Sequence, residues 1–320
     1  MRTRTYEPIE TRCPTAWTTA YPPEDERLRA LYGKAKHEQW DADTLAWGQD
    51  VDPERENFPD QQIPIYGTDL WAGLDGRQRA TLRQHSTSWM LSQFLHGEQG
   101  ALLASSQVVD TVPWLDAKLY GATQVMDEAR HVEVYERYLR EKIELTYPVN
   151  PELKSLLRHI LADERWDVKY LGMQILVEGL ALAAFQFVHA FTSEPLLKDL
   201  THHVMRDEAR HVAFGVLSLG DYYRTELSEA ERDERVRFTY EACRLMRDRF
   251  LQREVWQELG LPVERCVELT LSSPAMTEFR RLLFSRIVPN VKKLGLLTPW
   301  LRERFGELGI LAFEHGAADA

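Results

Sequence analysis

The hexapeptide Asp-Glu-Ala-Arg-His-Val occurs twice, at 127–132 and 207–212. Each copy sets a Glu and a His three residues apart, Glu128 with His131 and Glu208 with His211. On a helix such residues share one face, with Cβ atoms about 5–6 Å apart. Thirty residues before each of these Glu stands another, Glu98 in LHGEQGALLA and Glu178 in LVEGLALAAF. Nearly every neighbour of Glu178 is apolar. A buried, unpaired carboxylate costs several kcal/mol or takes up a proton. Positive charge at the same place removes that cost, so the repeat constrains the chain to gather its acids around cations.

The thirty-residue interval fits a helical hairpin. From Glu98 the chain runs to a break at Asp110-Thr-Val-Pro113 and returns to Glu128. From Glu178 it runs to Thr192-Ser-Glu-Pro195 and returns to Glu208. Proline near a helix start, with Ser or Thr before it, is the expected boundary signal. Each break falls about midway, so the two carboxylates of a hairpin sit at one height. Two such hairpins form a four-helix bundle with all six side chains at one level. One Glu from each of two helices and a Glu-x-x-His from each of the other two can hold a pair of metal ions. The spacing predicts Glu98, Glu128 and His131 mainly on one ion and Glu178, Glu208 and His211 mainly on the other, bridged by carboxylate. A carboxylate-rich set with two His suits iron or manganese better than zinc or copper.

Each motif carries an Asp before its Glu and an Arg before its His: Asp127, Arg130, Asp207 and Arg210. A metal-bound His usually donates its other ring N–H to a carboxylate. Asp127 lies one helix position round from Glu128 and points toward the neighbouring helix. The expected pairings are therefore Asp127 with His211 and Asp207 with His131. The alternative is that both Asp–Arg pairs are ordinary surface ion pairs.

At these motifs the chain resembles the ferritin-like di-iron carboxylate superfamily over about residues 75–260. That group includes multicomponent monooxygenases, acyl carrier protein desaturases, the ribonucleotide reductase small subunit and arylamine N-oxygenases. The resemblance implies an all-α, ferritin-like four-helix bundle carrying two Fe, with a Mn/Fe pair as the variant. It implies O₂ activation to oxidise a small organic substrate, by N-oxygenation or by C–H hydroxylation or desaturation. A ferredoxin or a reductase would supply electrons. In the N-oxygenases a His stands one turn before the second motif's Glu. Here that position is Val204, with His203 beside it as a candidate extra ligand through a local helix bulge. Where monooxygenases and desaturases often have Thr, this chain has Leu182. Where the reductase subunit stores a radical on Tyr, Tyr135 stands here, read as packing. The alternative functions are a ferroxidase or peroxide-handling protein and a reductase-like radical protein.

Small residues flank the ligand positions: Gly97, Gly100, Ala101 and Ala104 near Glu98, and Gly179, Ala181 and Ala184 near Glu178. They mark either close helix packing or a pocket lined by Ala101, Leu102, Ala181, Leu182 and Tyr135. The formal charge of −11 disfavours nucleic acid, whose phosphates need clustered Lys and Arg. Three scattered Cys without a CxxC fit a reducing cytoplasm. The N-terminus lacks a signal-like apolar stretch, and no apolar run is read as reaching the ~20 residues of a membrane span.

Three divisions are expected: an arm at 1–75, the bundle at 76–260 and a helical extension at 261–320 packed on its side. The arm is rich in Pro and aromatics, including Pro22 and Pro23, with one short helix at 24–40; it wraps the bundle, or it joins a homodimer contact or closes the site. Bundle helices are expected at about 77–109, 114–146, 164–191 and 196–226, with a short segment at 151–162. Ser228 and Glu231 form a capping box that opens a further helix to about 258. Its Arg residues, from Arg232 to Arg253, are read as a solvated face or an electron-donor dock. The tail at 262–313 should add one or two helices, and 314–320 should fray.

Overall fold

The structure, a computed structural model, describes residues 6–19, 21 and 25–314. Pro22, Pro23 and the end at 315–320 lie outside the described residues. Every regular element among those described is helical.

Helix α1 spans Glu26–His37 and a one-turn α2 spans Asp69–Gly73. Helix α3, Gly76–Thr111, opens with a capping box in which Asp75 and Gln78 satisfy each other's backbone N–H groups. Pro113 follows, and α4 runs from Leu115 to Tyr138 before a widened π turn at Leu139–Ile143. Asn150 caps α5, Pro151–Ala162, with Pro151 in the first turn. The next long helix has three parts: α6, Trp166–Tyr170; a π-helical stretch, Leu171–Val177; and α7, Glu178–Phe191. Helix α8 spans Pro195–Thr225. Its cap is Glu194 rather than the Ser or Thr before it; the carboxylate accepts from the N–H groups of Leu196 and Leu197 at 2.8 and 2.6 Å.

α3 pairs with α4 and α7 with α8, and the two hairpins pack through α4, α8 and the π-helical stretch. Ligand-bearing faces therefore turn inward. By length and composition Trp166–Phe191 could cross a membrane, which corrects the expectation that no run is long enough. Its most apolar window is 83% buried inside the bundle, which explains its composition.

Gly215 of α8 shows how tightly the hairpins meet. A Cβ there would lie 2.7 Å from the Gln174 Cβ and 3.0 Å from the Ile175 Cδ1, both on the π-helical stretch. Gly215→Ala should therefore destabilise the fold by about 1–3 kcal/mol through overpacking. That outweighs Ala's helix advantage of about 1 kcal/mol. Chemical denaturation checks the sign, and a net gain would refute the tight contact.

The described residues before α3 include several that are tied to the bundle. The Ala16 N–H donates to the Asp110 carbonyl at 2.9 Å, and the Ser193 N–H donates to the Asn57 carbonyl at 2.8 Å. Both helix turns are thus tied to the arm, while α1 packs on α4 and α8.

Beyond α8 three expectations need correction. Helix α9, opened by the Ser228–Glu231 capping box, ends at Asp248. A 3₁₀ turn, Arg249–Leu251, and Gln252 with φ 52° separate it from α10, Arg253–Glu258. Nor is its Arg face wholly solvated. Arg235 is buried and pairs with Asp167 at 2.9 Å, and Arg249 is buried too. The tail forms four helices, not one or two: α11 Val263–Ser272, α12 Pro274–Phe284, α13 Ile287–Lys293 and α14 Pro299–Glu307. Pro274, Pro299 and Gly295, with φ 71°, interrupt what the apolar pattern alone reads as continuous.

Candidate metal centre

Glu98 comes from α3, Glu128 and His131 from α4, Glu178 from the start of α7, and Glu208 and His211 from α8. All six are buried. His131 Nδ1 lies 3.2 Å from Glu98, 3.3 Å from Glu208 and 3.5 Å from Glu128. His211 Nδ1 lies 3.1 Å from Glu128, 3.5 Å from Glu208 and 4.0 Å from Glu178. Two groups could each hold an ion: Glu98, Glu128, His131 and Glu208; and Glu128, Glu178 and His211. The division differs from the simple split by hairpin. Glu128 belongs to both groups and Glu208 falls with His131, because both project toward the middle of the bundle, between the two His.

The donor set fits cations. Glu128 Oε2, Glu178 Oε2, both Glu208 oxygens and His211 Nδ1 are buried without a hydrogen-bond partner. Buried acceptors left this way are costly unless a cation meets them. Burial first, and the Glu208 charge second, push the Glu98 carboxyl well above its ordinary range; burial and the Glu128 charge do the same to Glu178. Burial pulls both His down, but their carboxylate neighbours outweigh it and hold them well above the usual imidazole range. Without metal, these shifts favour protons on Glu98, Glu178, His131 and His211. Metal loading near pH 7 should displace them, so apparent affinity rises with pH. Indicator-dye titration in weak buffer checks this, and proton-neutral loading would contradict it.

The outer nitrogens of both His point to the Asp residues of the opposite motif. His131 Nε2 lies 3.1 Å from Asp207, and His211 Nε2 lies 3.3 Å from Asp127. Arg130 bonds Asp127 and reaches Asp207 at 3.3 Å; Arg210 bonds Asp207 and reaches Asp127 at 3.3 Å. The quartet is buried, not a surface pairing.

Residues just past α1 close over it, and nothing in the motif spacing announces them. Gln39 donates to Asp127 at 3.0 Å and accepts from Arg130 at 2.8 Å. The Trp40 indole donates to Asp207 at 2.8 Å, and Glu38 accepts from Arg210 at 2.7 Å. Gln124 is another unanticipated member. It donates to Glu178 at 2.8 Å and to Glu128 at 3.2 Å. Its position four residues before Glu128 was the available signal.

His203 belongs to neither group. Helix α8 is regular there, which turns the ring outward to stack on Trp40 at 4.8 Å. Val204, one turn before Glu208, is buried. The cavity beside the cluster is lined by Ala101 and Ala181, with Gly97, Phe94, Phe185 and Arg249. Leu102 and Tyr135 do not line it. Tyr135 is buried between Phe94 and Phe185, each ring 5.8 Å away. Leu182 faces a separate outer groove between α7, α8 and α13, because it is one helix position beyond Ala181.

The family model for P-aminobenzoate N-oxygenase AurF matches residues 22–295. The chain belongs to this family. No curated protein matches the chain by sequence. Among solved structures, an R2-like ligand-binding oxidase with an aerobically reconstituted Mn/Fe cofactor is 17% identical, with a TM-score of 0.57 over 84% of this chain and 93% of that one. The same oxidase with its metal cofactor after photoconversion gives the same values. That likeness establishes the all-α, ferritin-like fold. As a member of the AurF family, the chain is a di-iron, O₂-dependent oxidoreductase acting on a small organic substrate.

Proposed function

We propose that Glu98, Glu128, His131, Glu178, Glu208 and His211 hold two iron ions, or one manganese and one iron, and that the chain N-oxygenates a small organic amine. The observation that carries the assignment is the set of buried carboxylate oxygens and the His211 nitrogen left without hydrogen-bond partners. Bound there, two reduced metals would supply electrons to O₂. The protein's part is placement. Asp127 and Asp207 orient the two imidazoles, Arg130 and Arg210 neutralise those aspartates, and Gln124 holds two of the carboxylates. The apolar wall of Phe94, Phe185, Ala101 and Ala181 keeps water from the substrate.

The family description favours N-oxygenation. Val204 favours the second reading, C–H hydroxylation or desaturation, because it offers no ligand where the arylamine N-oxygenases resembled by this chain have His. A ferredoxin or flavin reductase completes the proposal as electron donor. So do a homodimer, supported by exposed Leu103 on α3 and Met126 on α4, and a cytoplasmic setting, supported by free Cys13, Cys243 and Cys266. The division into an arm, a bundle and a C-terminal extension belongs to the same proposal.

Iron-loaded protein should contain about two irons per chain. After reduction it should consume O₂ faster when an arylamine is added, with ¹⁸O from O₂ entering the nitrogen product. One mononuclear zinc per chain would sink the metal assignment, and label appearing only on carbon would favour the second reading.

A further inference from the structure

The open groove between α7, α8 and α13 takes no part in the metal centre. Its floor is apolar. Met205, Ala209, Val212 and Val216 follow one face of α8, with Leu182 of α7 beside them. Its rim is cationic, with Arg206, Arg286 and Lys293 all exposed. No Asp or Glu lines it, although the chain carries 50 acidic residues against 39 Lys and Arg. Among the described residues Arg286 and Lys293 have no ion pair. Arg206 comes only within 3.7 Å of Glu38, which is engaged with Arg210 at 2.7 Å.

The floor lies against the back of the metal centre. Ala209 and Val212 each stand one residue after a candidate ligand, Glu208 and His211. Yet the groove and the cavity beside the cluster have no lining residue in common. A helix with its side chains is about 10–12 Å across. An electron can tunnel that far through packed protein, whereas a substrate cannot pass. The groove is therefore placed for electron delivery rather than for substrate entry.

The charge pattern selects the occupant. A two-fold contact between copies of this chain would set the same patch against itself, bringing cations against cations. The exposed Leu103 and Met126 that support a homodimer lie on the other hairpin, on α3 and α4. An acidic protein instead meets the rim with opposite charge, which speeds its encounter and suits short-lived electron-transfer contacts. Such visits are what the reaction needs. Hydroxylation of an amine by O₂ balances as RNH₂ + O₂ + 2 e⁻ + 2 H⁺ giving RNHOH + H₂O. Each reduced iron–sulfur carrier gives one electron and leaves oxidised, so two carriers dock per turnover.

We propose that this groove docks a small acidic iron–sulfur protein, which reduces the metal centre through α8. The proposal rests on the oxygenase reading and names the partner surface of the same site.

The test has two measurements. Oxidised plant-type [2Fe–2S] ferredoxin, an acidic carrier, is titrated calorimetrically into manganese-loaded protein. Reduced ferredoxin is then mixed anaerobically with di-ferric protein and its reoxidation followed by absorbance. Binding should be tightest at low salt and weaken as salt screens the exposed charges. The double variant Arg286→Glu, Lys293→Glu should slow reoxidation by roughly 10-fold or more, within the range that electrostatic steering supplies. Its metal content and its reduction by dithionite should match the wild type. If that variant does not fold, Arg286→Gln with Lys293→Gln should show a smaller loss of the same sign. Arg244→Glu on the exposed face of α9, where Arg244 pairs with Glu241 at 3.0 Å, should leave the rate unchanged. No ferredoxin binding at low salt, an unchanged rate in the groove variants, or an equal loss in Arg244→Glu would each overturn the proposal. So would sedimentation showing a wild-type dimer that the groove variants dissociate, since a second copy would then occupy the groove. Failure of the oxygenase reading would show separately, as missing metal or as no arylamine-dependent O₂ uptake after chemical reduction.

Discussion

Glu128→Ala is expected to empty both metal positions at once. Its carboxylate stands 3.5 Å from His131 Nδ1 and 3.1 Å from His211 Nδ1 and belongs to both candidate groups. Glu178 belongs to one group only, so Glu178→Ala should spare more metal. For Glu128→Ala, iron should fall from about two per chain to a small fraction of one. Substrate oxidation should fall by more than about 100-fold, beyond the 10–100-fold typical of losing an outer partner. Metal analysis and O₂ uptake check both statements, with circular dichroism as the folding control. A variant that keeps two irons would rule out a bridging role.

Asp207→Ala is expected to give the largest loss of stability. Its carboxylate bonds Arg210, reaches Arg130, orients His131 and accepts from Trp40, all inside the protein. Without it, Arg130 keeps only Asp127 as an anionic partner, and Arg210 keeps Asp127 and the partly exposed Glu38. Removing one partner of a buried ion pair typically costs about 3–5 kcal/mol. Asp207→Asn keeps the acceptor for Trp40 and should cost less, but its metal affinity should still fall about 10–100-fold. The pH dependence has a definite sign. Burial opposes ionisation of Asp207, but His131, Trp40 and Arg210 outweigh it and hold the carboxyl far below its ordinary range. A depressed folded-state pKa gives stability that is present above the unfolded value, about 3.9, and lost as pH falls toward the folded one. The gap between wild type and Asp207→Ala should therefore be full at pH 7 and narrow only below about pH 4. Urea unfolding at both values decides it, and a gap that is the same at both would count against the ion-pair account.

The centre was unusually legible because its chemistry follows helical period. Glu-x-x-His and the thirty-residue return are local spacings, and both hairpins inherit them. Pairing each His with the Asp of the opposite motif also follows from helix geometry. What was not legible comes from other periods or other parts of the chain. Trp40 and Gln39 reach the site from a segment with no motif of its own. Arg249 reads as one more charge in an Arg-rich helix until the chain breaks at Gln252 and turns it inward. The π-helical stretch before Glu178 is not announced by its composition, since LGMQILV reads as apolar helix with one Gly. The regular course of α8 past His203 is likewise a matter of backbone, not composition.

The cover over the quartet bears on the order of assembly. Gln39 meets Asp127 across 88 residues, Trp40 meets Asp207 across 167, and Glu38 meets Arg210 across 172. Such contacts can form only after long loops have closed, which delays them relative to local helix formation. On the ribosome α1 emerges early, but its seat is incomplete until α8 has been synthesised. The helical hairpins should therefore form first and the histidine side should be sealed last, leaving an interval in which a nascent centre is open to metal from that side.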